Sequence, residues 1–194
     1  MKLLKPAVSA LCLLGAVAAQ AEPLSYQNIT VGYGEWEVDI GDKDVDFSGI
    51  ALAGSMPLSD NIFLLGGYID TDSDDEYAGD EISLTNYSLG AGFHAAIAAN
   101  TDFVAALKLV RVKTDHLNDS ETDSGRSLSI GVRSKPSAQF ELAAGLTNSK
   151  VDDETDTTFS VSGSFFVSPN ASIGIELSDG DDTSAQGVYV RFDF

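Results

Sequence analysis

Gly187-Val188-Tyr189-Val190-Arg191-Phe192-Asp193-Phe194 alternates apolar with polar or amphipathic side chains, and that alternation decides the fold. Successive side chains of a strand point to opposite faces. Val188, Val190, Phe192 and Phe194 therefore form one greasy face, and Tyr189, Arg191 and Asp193 the other. In a soluble domain the greasy face would pack under a helix or a second sheet. No stretch beyond residue 21 carries the apolar period of a covering helix, so this face is expected to meet lipid.

The N-terminus reads as an export signal. Lys2 and Lys5 precede an apolar run from Ala7 to Val17, and Ala19-Gln20-Ala21 is a small-x-small cleavage site before Glu22. A transmembrane anchor would need about 20 apolar residues, more than this run supplies. Cys12 follows Leu11, not Gly or Ala, and so belongs to the apolar run and is not a lipid-attachment site. The expected organisation is a signal peptide over 1–21 and one domain over 22–194, which has no cysteine for a disulfide or a thiol nucleophile.

Removing residues 1–21 takes away two of the 11 Lys+Arg and none of the 30 Asp+Glu, leaving nine cations against 30 acids. Nucleic acid and anionic membrane surfaces are not the expected partners of such a chain. No apolar run approaches the roughly 18 residues of a membrane helix, but a membrane strand needs only about 9 to 11 alternating residues.

Strand-like segments fall at 26–38, 46–56, 62–70, 82–97, 102–114, 126–134, 139–150, 158–167, 171–178 and 185–194. Four short connections, Pro57 to Asn61, Ala98 to Thr101, Lys135 to Ala138 and Ser168 to Asn170, are built from turn formers. They alternate with acidic, mostly longer connections near 39–45, 71–81, 115–125, 151–157 and 179–184. One rim of a meander thus carries turns and the other loops, as in barrels with periplasmic turns and extracellular loops. The predicted fold is all-β: a transmembrane antiparallel up-and-down β-barrel of ten strands, with eight as the alternative because strands one and three are least regular.

Phe63, Phe93, Phe103, Phe140, Phe165, Phe166, Phe192 and Phe194 lie near short turns or the C-terminus and predict an interfacial girdle, with Tyr33, Trp36, Tyr68 and Tyr87 as a sparser outer one. Parity turns Ala171, Ile173, Ile175 and Leu177 to lipid and Ser172, Gly174, Glu176 and Ser178 to the lumen. Charges facing lipid near mid-bilayer cost about 2 to 4 kcal/mol each, so Lys108, Arg133, Glu141, Glu176 and Arg191 are assigned to the lumen. Arg133 and Glu141 flank one turn and are candidates to pair. The other inward residues are mostly Gly, Ala and Ser, and a barrel of this size either fills with its charges or holds a thin file of water.

Asp70, Asp72, Asp74 and Glu81 fall at the first, third, fifth and twelfth places of an EF-hand-like calcium loop, but Asp75 replaces the glycine of the sharp turn. Together with the clusters Asp152, Asp153, Glu154, Asp156 and Asp179, Asp181, Asp182, they predict diffuse attraction of Ca2+ or Mg2+ at the outer loops and no cofactor. Asp115-His116 resembles the Asp-His couple of omptin-type outer-membrane proteases, whose barrels are taller. It is the one foothold for an enzyme, and the chain reads as non-enzymatic.

The terminal strand resembles, through Val188, Val190, Phe192 and Phe194, the assembly signal of outer-membrane β-barrels. Ser25-Tyr26, Gly32-Tyr33, Gly66-Gly67-Tyr68 and the stretch Val188 to Phe194 resemble the small outer-membrane barrels of the OmpA/OmpX-like superfamily, and more closely the vesicle-associated barrels of xanthomonads. The resemblance implies a barrel and an outer-membrane location; Sec export, insertion by the barrel-assembly machinery of a Gram-negative cell, presence in outer-membrane vesicles, and contact with outer-membrane lipid and, through bridging cations on the acidic loops, lipopolysaccharide are expected with it. Three functions follow as expectations: an envelope-structural or surface-interaction barrel with acidic extracellular loops, a narrow cation-preferring porin-like channel, or an outer-membrane hydrolase. No oligomeric state is specified.

Overall fold

The computed structural model describes residues 24–40, 43–74, 82–116 and 119–194; the segment 1–21, expected from the sequence to be a signal peptide, lies outside them. The described residues form β1 (Asn28–Ile40), β2 (Lys43–Pro57), β3 (Ile62–Ser73), β4 (Ile82–Ala98), β5 (Thr101–His116), β6 (Asp119–Ser137), β7 (Phe140–Val151), β8 (Glu154–Ser168), β9 (Ala171–Asp179) and β10 (Thr183–Asp193). Each strand pairs antiparallel with its chain neighbours, and β10 closes onto β1 in register from Asn28↔Asp193 to Val38↔Thr183. The barrel has ten strands, and no sheet edge is left open.

Short turns gather at one end, where asparagines stitch neighbouring hairpins together. The side-chain amides of Asn61, Asn100 and Asn170 donate to the carbonyls of His94, Lys135 and Asp193 at 2.9, 3.0 and 3.0 Å. A register shift in β6 between Ser134 and Ser137 spans Pro136, which has no N–H to give the ladder.

The opposite end departs from expectation. The segments 39–45, 115–125 and 151–157, read from sequence as loops, are largely strand: β5 and β6 continue to His116 and from Asp119, and β7 meets β8 through Asp152 and Asp153 alone. Asp152 takes the turn's positive φ of 50°, a conformation Asp tolerates. These strand ends are rich in Asp, Glu, Ser and Thr. Alternation disappears from the sequence there while the backbone ladder continues.

Apolar side chains face outward along the strands, among them Leu107 and Leu109 on β5 and Ile173, Ile175 and Leu177 on β9. Phe93, Phe103, Phe140, Phe165, Phe192 and Phe194 form the turn-side girdle, and Tyr33, Tyr68 and Tyr87 lie on the outer face nearer the other end. Phe63, Phe166 and Trp36 correct the predicted girdles. Phe63 and Phe166 point inward, only 5% and 4% exposed. Phe165 and Phe166 are adjacent, so only one can face lipid, and Gly92 clears the space that the Phe63 ring occupies. Trp36 also turns inward and packs with Val38 and Leu84 against an apolar wedge of Val45, Phe47 and Ile82.

Candidate functional site

The lumen brings together most of the charges that parity assigned to it. Glu141 on β7 is the hub: its Oε1 accepts from Arg133 Nη2 at 2.6 Å and Nε at 3.1 Å on β6, and from Arg191 Nη1 at 2.9 Å on β10. Arg191 also donates through Nε to Asp193 at 2.8 Å. A carboxylate this deeply buried is tolerable only when charge-assisted hydrogen bonds replace its water.

The segment preceding β1 lies across this cluster. Arg133 Nη1 and Arg191 Nη2 both donate to the Ser25 carbonyl, each at 3.2 Å. The next residue, Tyr26, turns its ring into the barrel, stacks on His94 at 3.8 Å between centroids, and lies beneath the Arg133 guanidinium at 4.7 Å. Its hydroxyl donates to Asp102 Oδ2 at 2.9 Å, which also meets His94 Nδ1 at 2.9 Å. Phe63 packs against Tyr26 at 4.8 Å, and Lys135 Nζ sits 4.1 Å over Phe166. These residues gather as a floor at the turn end of the lumen, where Tyr26, Phe63, Arg133, Glu141 and Arg191 line its cavity. Sequence reading missed Tyr26 and Asp102 as members. Asp102 shares the inward parity of Lys108, and Tyr26, first residue of the strand read over 26–38, shares the inward parity of Asn28 and Thr30, so alternation could have found both.

Above the floor lies a cavity of about 630 Å³, lined by small residues such as Ala51, Ala53, Ser88, Ala143 and Ser162 and reaching Trp36. Lys108 on β5 and Glu176 on β9 both line it, and their charges act on one another without a hydrogen bond between them. The Tyr189 ring occupies the space over Gly174, where a Cβ would fall within it.

Asp70, Asp72 and Asp74 do not converge. Each accepts a hydroxyl instead, from Thr85 at 3.1 Å, Ser83 at 2.6 Å and Ser48 at 2.8 Å respectively. Glu81 lies outside the described residues, among which no three His, Cys, Asp or Glu are grouped to hold a metal. Asp115 is paired with Lys113 on its own strand. The His116 side chain lies outside the described residues. Val188, Val190, Phe192 and Phe194 all face outward, and the Phe194 N–H donates to the Gln27 carbonyl at 3.1 Å.

A closed even-stranded barrel, apolar outside, polar inside and belted by aromatics, defines an outer-membrane β-barrel protein. The chain belongs to the outer membrane protein beta-barrel domain family, whose model matches residues 7–166. No curated protein matches the sequence. Among solved structures, the beta domain of the Bordetella autotransporter BrkA matches with a TM-score of 0.52 at 11% identity, covering 88% of this chain and 100% of that one. The KdgM porin in complex with disordered oligogalacturonate matches at 0.50 and 11% identity, covering 86% and 99%. Ail, the attachment invasion locus protein of Yersinia pestis, in complex with the heparin analogue sucrose octasulfate, gives 0.48 at 18% identity over 86% and 97%. At these identities the likeness speaks to fold alone.

Proposed function

We propose that this chain is a non-enzymatic, non-conducting barrel that works through its loop-side rim, in an envelope-structural or surface-interaction role. The floor carries the reading: Arg133 and Arg191 each donate to both Glu141 and the Ser25 carbonyl, and Tyr26 lies between Arg133 and His94. An ion would have to break buried charge-assisted bonds to pass, and breaking one partner of such a pair costs about 3 to 5 kcal/mol. A hydrolase has less support, because Asp115 is engaged by Lys113. Ca2+ or Mg2+ serve here only as diffuse counter-ions of the acidic rim. Sec export, insertion by the barrel-assembly machinery and carriage into shed vesicles fit the same role.

The roomy cavity above the floor favours a second reading, a narrow cation-preferring channel. Planar-bilayer recording of the purified full barrel separates the two. The wild type is expected to be silent. Steady, cation-preferring wild-type conductance would overturn the sealed barrel and support the channel.

A further inference from the structure

Charges on the outward face of the loop-side rim are sorted by sign. Followed from the turn end upward, the outward side chains of β1 pass from Val31 and Tyr33 to Glu35 and Glu37, those of β3 from Leu64 and Tyr68 to Asp70 and Asp72, and those of β9 from Ile175 and Leu177 to Asp179. On β5, β6 and β7 the same step is basic. Leu107 and Leu109 give way to Arg111 and Lys113, Ile130 and Leu128 to Arg126, and Leu146 and Asn148 to Lys150. Four of the nine cations beyond residue 21 therefore share one outward patch on three adjacent strands.

Register makes the patch tight. Arg126 stands directly opposite Lys150, and Arg111 lies one diagonal step away, since Leu109 is the partner of Arg126. Like charges in direct cross-strand pairs are destabilising. Lys113 is paired with Asp115, but Arg111, Arg126 and Lys150 are exposed and make no hydrogen bond or ion pair with any described residue. The height of the patch is fixed independently. Arg111 is the cross-strand partner of Tyr87, whose ring lies 5.2 Å from that of Tyr68 on the outer face. Aromatic pairs of this kind sit at the membrane–water interface.

We propose that Arg111, Arg126 and Lys150 bind the phosphates of a phosphorylated glycolipid of the outer leaflet, a lipid A headgroup. Three exposed cations at the interface match phosphate charge, and the guanidiniums of Arg111 and Arg126 can each engage phosphate oxygens in pairs. The apolar band directly beneath, Leu107, Leu109, Leu128 and Leu146, supplies a surface for acyl chains, which a free phosphate would leave unused. The acidity of the whole chain argues against an anionic partner, but fields are screened beyond roughly 8 Å at physiological salt. At the patch Arg111, Arg126 and Lys150 face outward together, Asp115 is held by Lys113, and the β6 acids Glu121 and Asp123 fall on the opposite face of the strand.

The test uses the refolded full chain in zwitterionic detergent, with native mass spectrometry reading occupancy by bisphosphorylated and by dephosphorylated lipid A. Wild type should retain the bisphosphorylated form, and R111Q/R126Q/K150Q should retain it about tenfold less, as charge-assisted contacts to phosphate are lost. Rising salt should weaken only the wild type. Equal occupancy in wild type and triple variant would overturn the proposal, as would equal retention of dephosphorylated lipid A or displacement by equimolar inorganic phosphate. Should the triple variant fail to refold, R126Q alone, at the centre of the patch, should show the same loss to a smaller degree, and an unchanged occupancy there would overturn it. A conducting barrel would carry the same patch, so failure here is distinct from failure of the sealed-lumen reading.

Discussion

The two ends of the barrel handle charge in opposite ways. At the turn end Arg133, Glu141, Arg191 and Asp193 are drawn inward and paired with one another within hydrogen-bonding distance. At the loop end charges stand outward, acids on β1, β3 and β9 and, on β5 to β7, the cations Arg111, Arg126 and Lys150, which bond to no described residue. Paired charges in a buried layer hold one another in place. Exposed charges sorted by sign leave unbalanced fields for a partner to answer. On the readings proposed above, closure and recognition fall to opposite ends of one wall.

The sharpest way to break the contrast is to unbalance the floor. Glu141→Ala leaves two guanidiniums facing each other and should cost about 3 to 5 kcal/mol of stability, measured as a lower temperature for loss of heat-modifiable gel migration. The same variant should admit ions in planar bilayers. A stable, silent Glu141→Ala barrel would mean that the floor does not depend on its charges.

Between the ends, the lipid face is tested by Ile175→Arg, which should lose roughly 2 to 4 kcal/mol of insertion free energy, against Ser162→Ala on the lumen side, which should lose little. Gly174→Ser is no neutral control, since the Tyr189 ring already fills that space. Equal refolding yields of the Ile175 and Ser162 variants into vesicles would reverse the assignment of faces.

Deleting Phe194, 68% exposed on the girdle, should lower outer-membrane yield and raise periplasmic degradation without touching the floor. Unchanged yield and heat-modifiable migration would show that this residue is not read during assembly. The smallest effect is expected at the rim. Neutralising Asp70, Asp72 and Asp74 together should remove part of a weak, salt-sensitive calcium binding measured by calorimetry and leave folding intact, because the carboxylates bond to neutral hydroxyls near the rim and to no cation. Loss of all calcium binding would instead point to a single organised loop.

The barrel was legible because lipid outside and polar lumen inside impose a period of two on strands such as β9 and β10. That same rule assigned Arg133, Glu141 and Arg191 to the lumen and made Arg133 and Glu141 a pair. It failed in three physical situations. Where both faces meet water, as over Asp115 and Asp119 to Ser124, alternation vanishes though pairing persists. Where aromatics are adjacent, as at Phe165-Phe166, proximity to a turn cannot say which one faces lipid. Contacts between residues far apart in the chain, such as Tyr26 with Asp102 at a separation of 76 positions, leave no local trace.

The bond from Arg191 to the Ser25 carbonyl joins positions 166 apart and lies beside the seam where β10 meets β1. A slip of one residue along that seam would turn Arg191 toward the acyl chains and Phe192 into the lumen, leaving Ser25 and Glu141 without one of their donors. The floor therefore works as a gauge of closure. Only a chain whose last strand has arrived, and arrived in step with its first, can complete it.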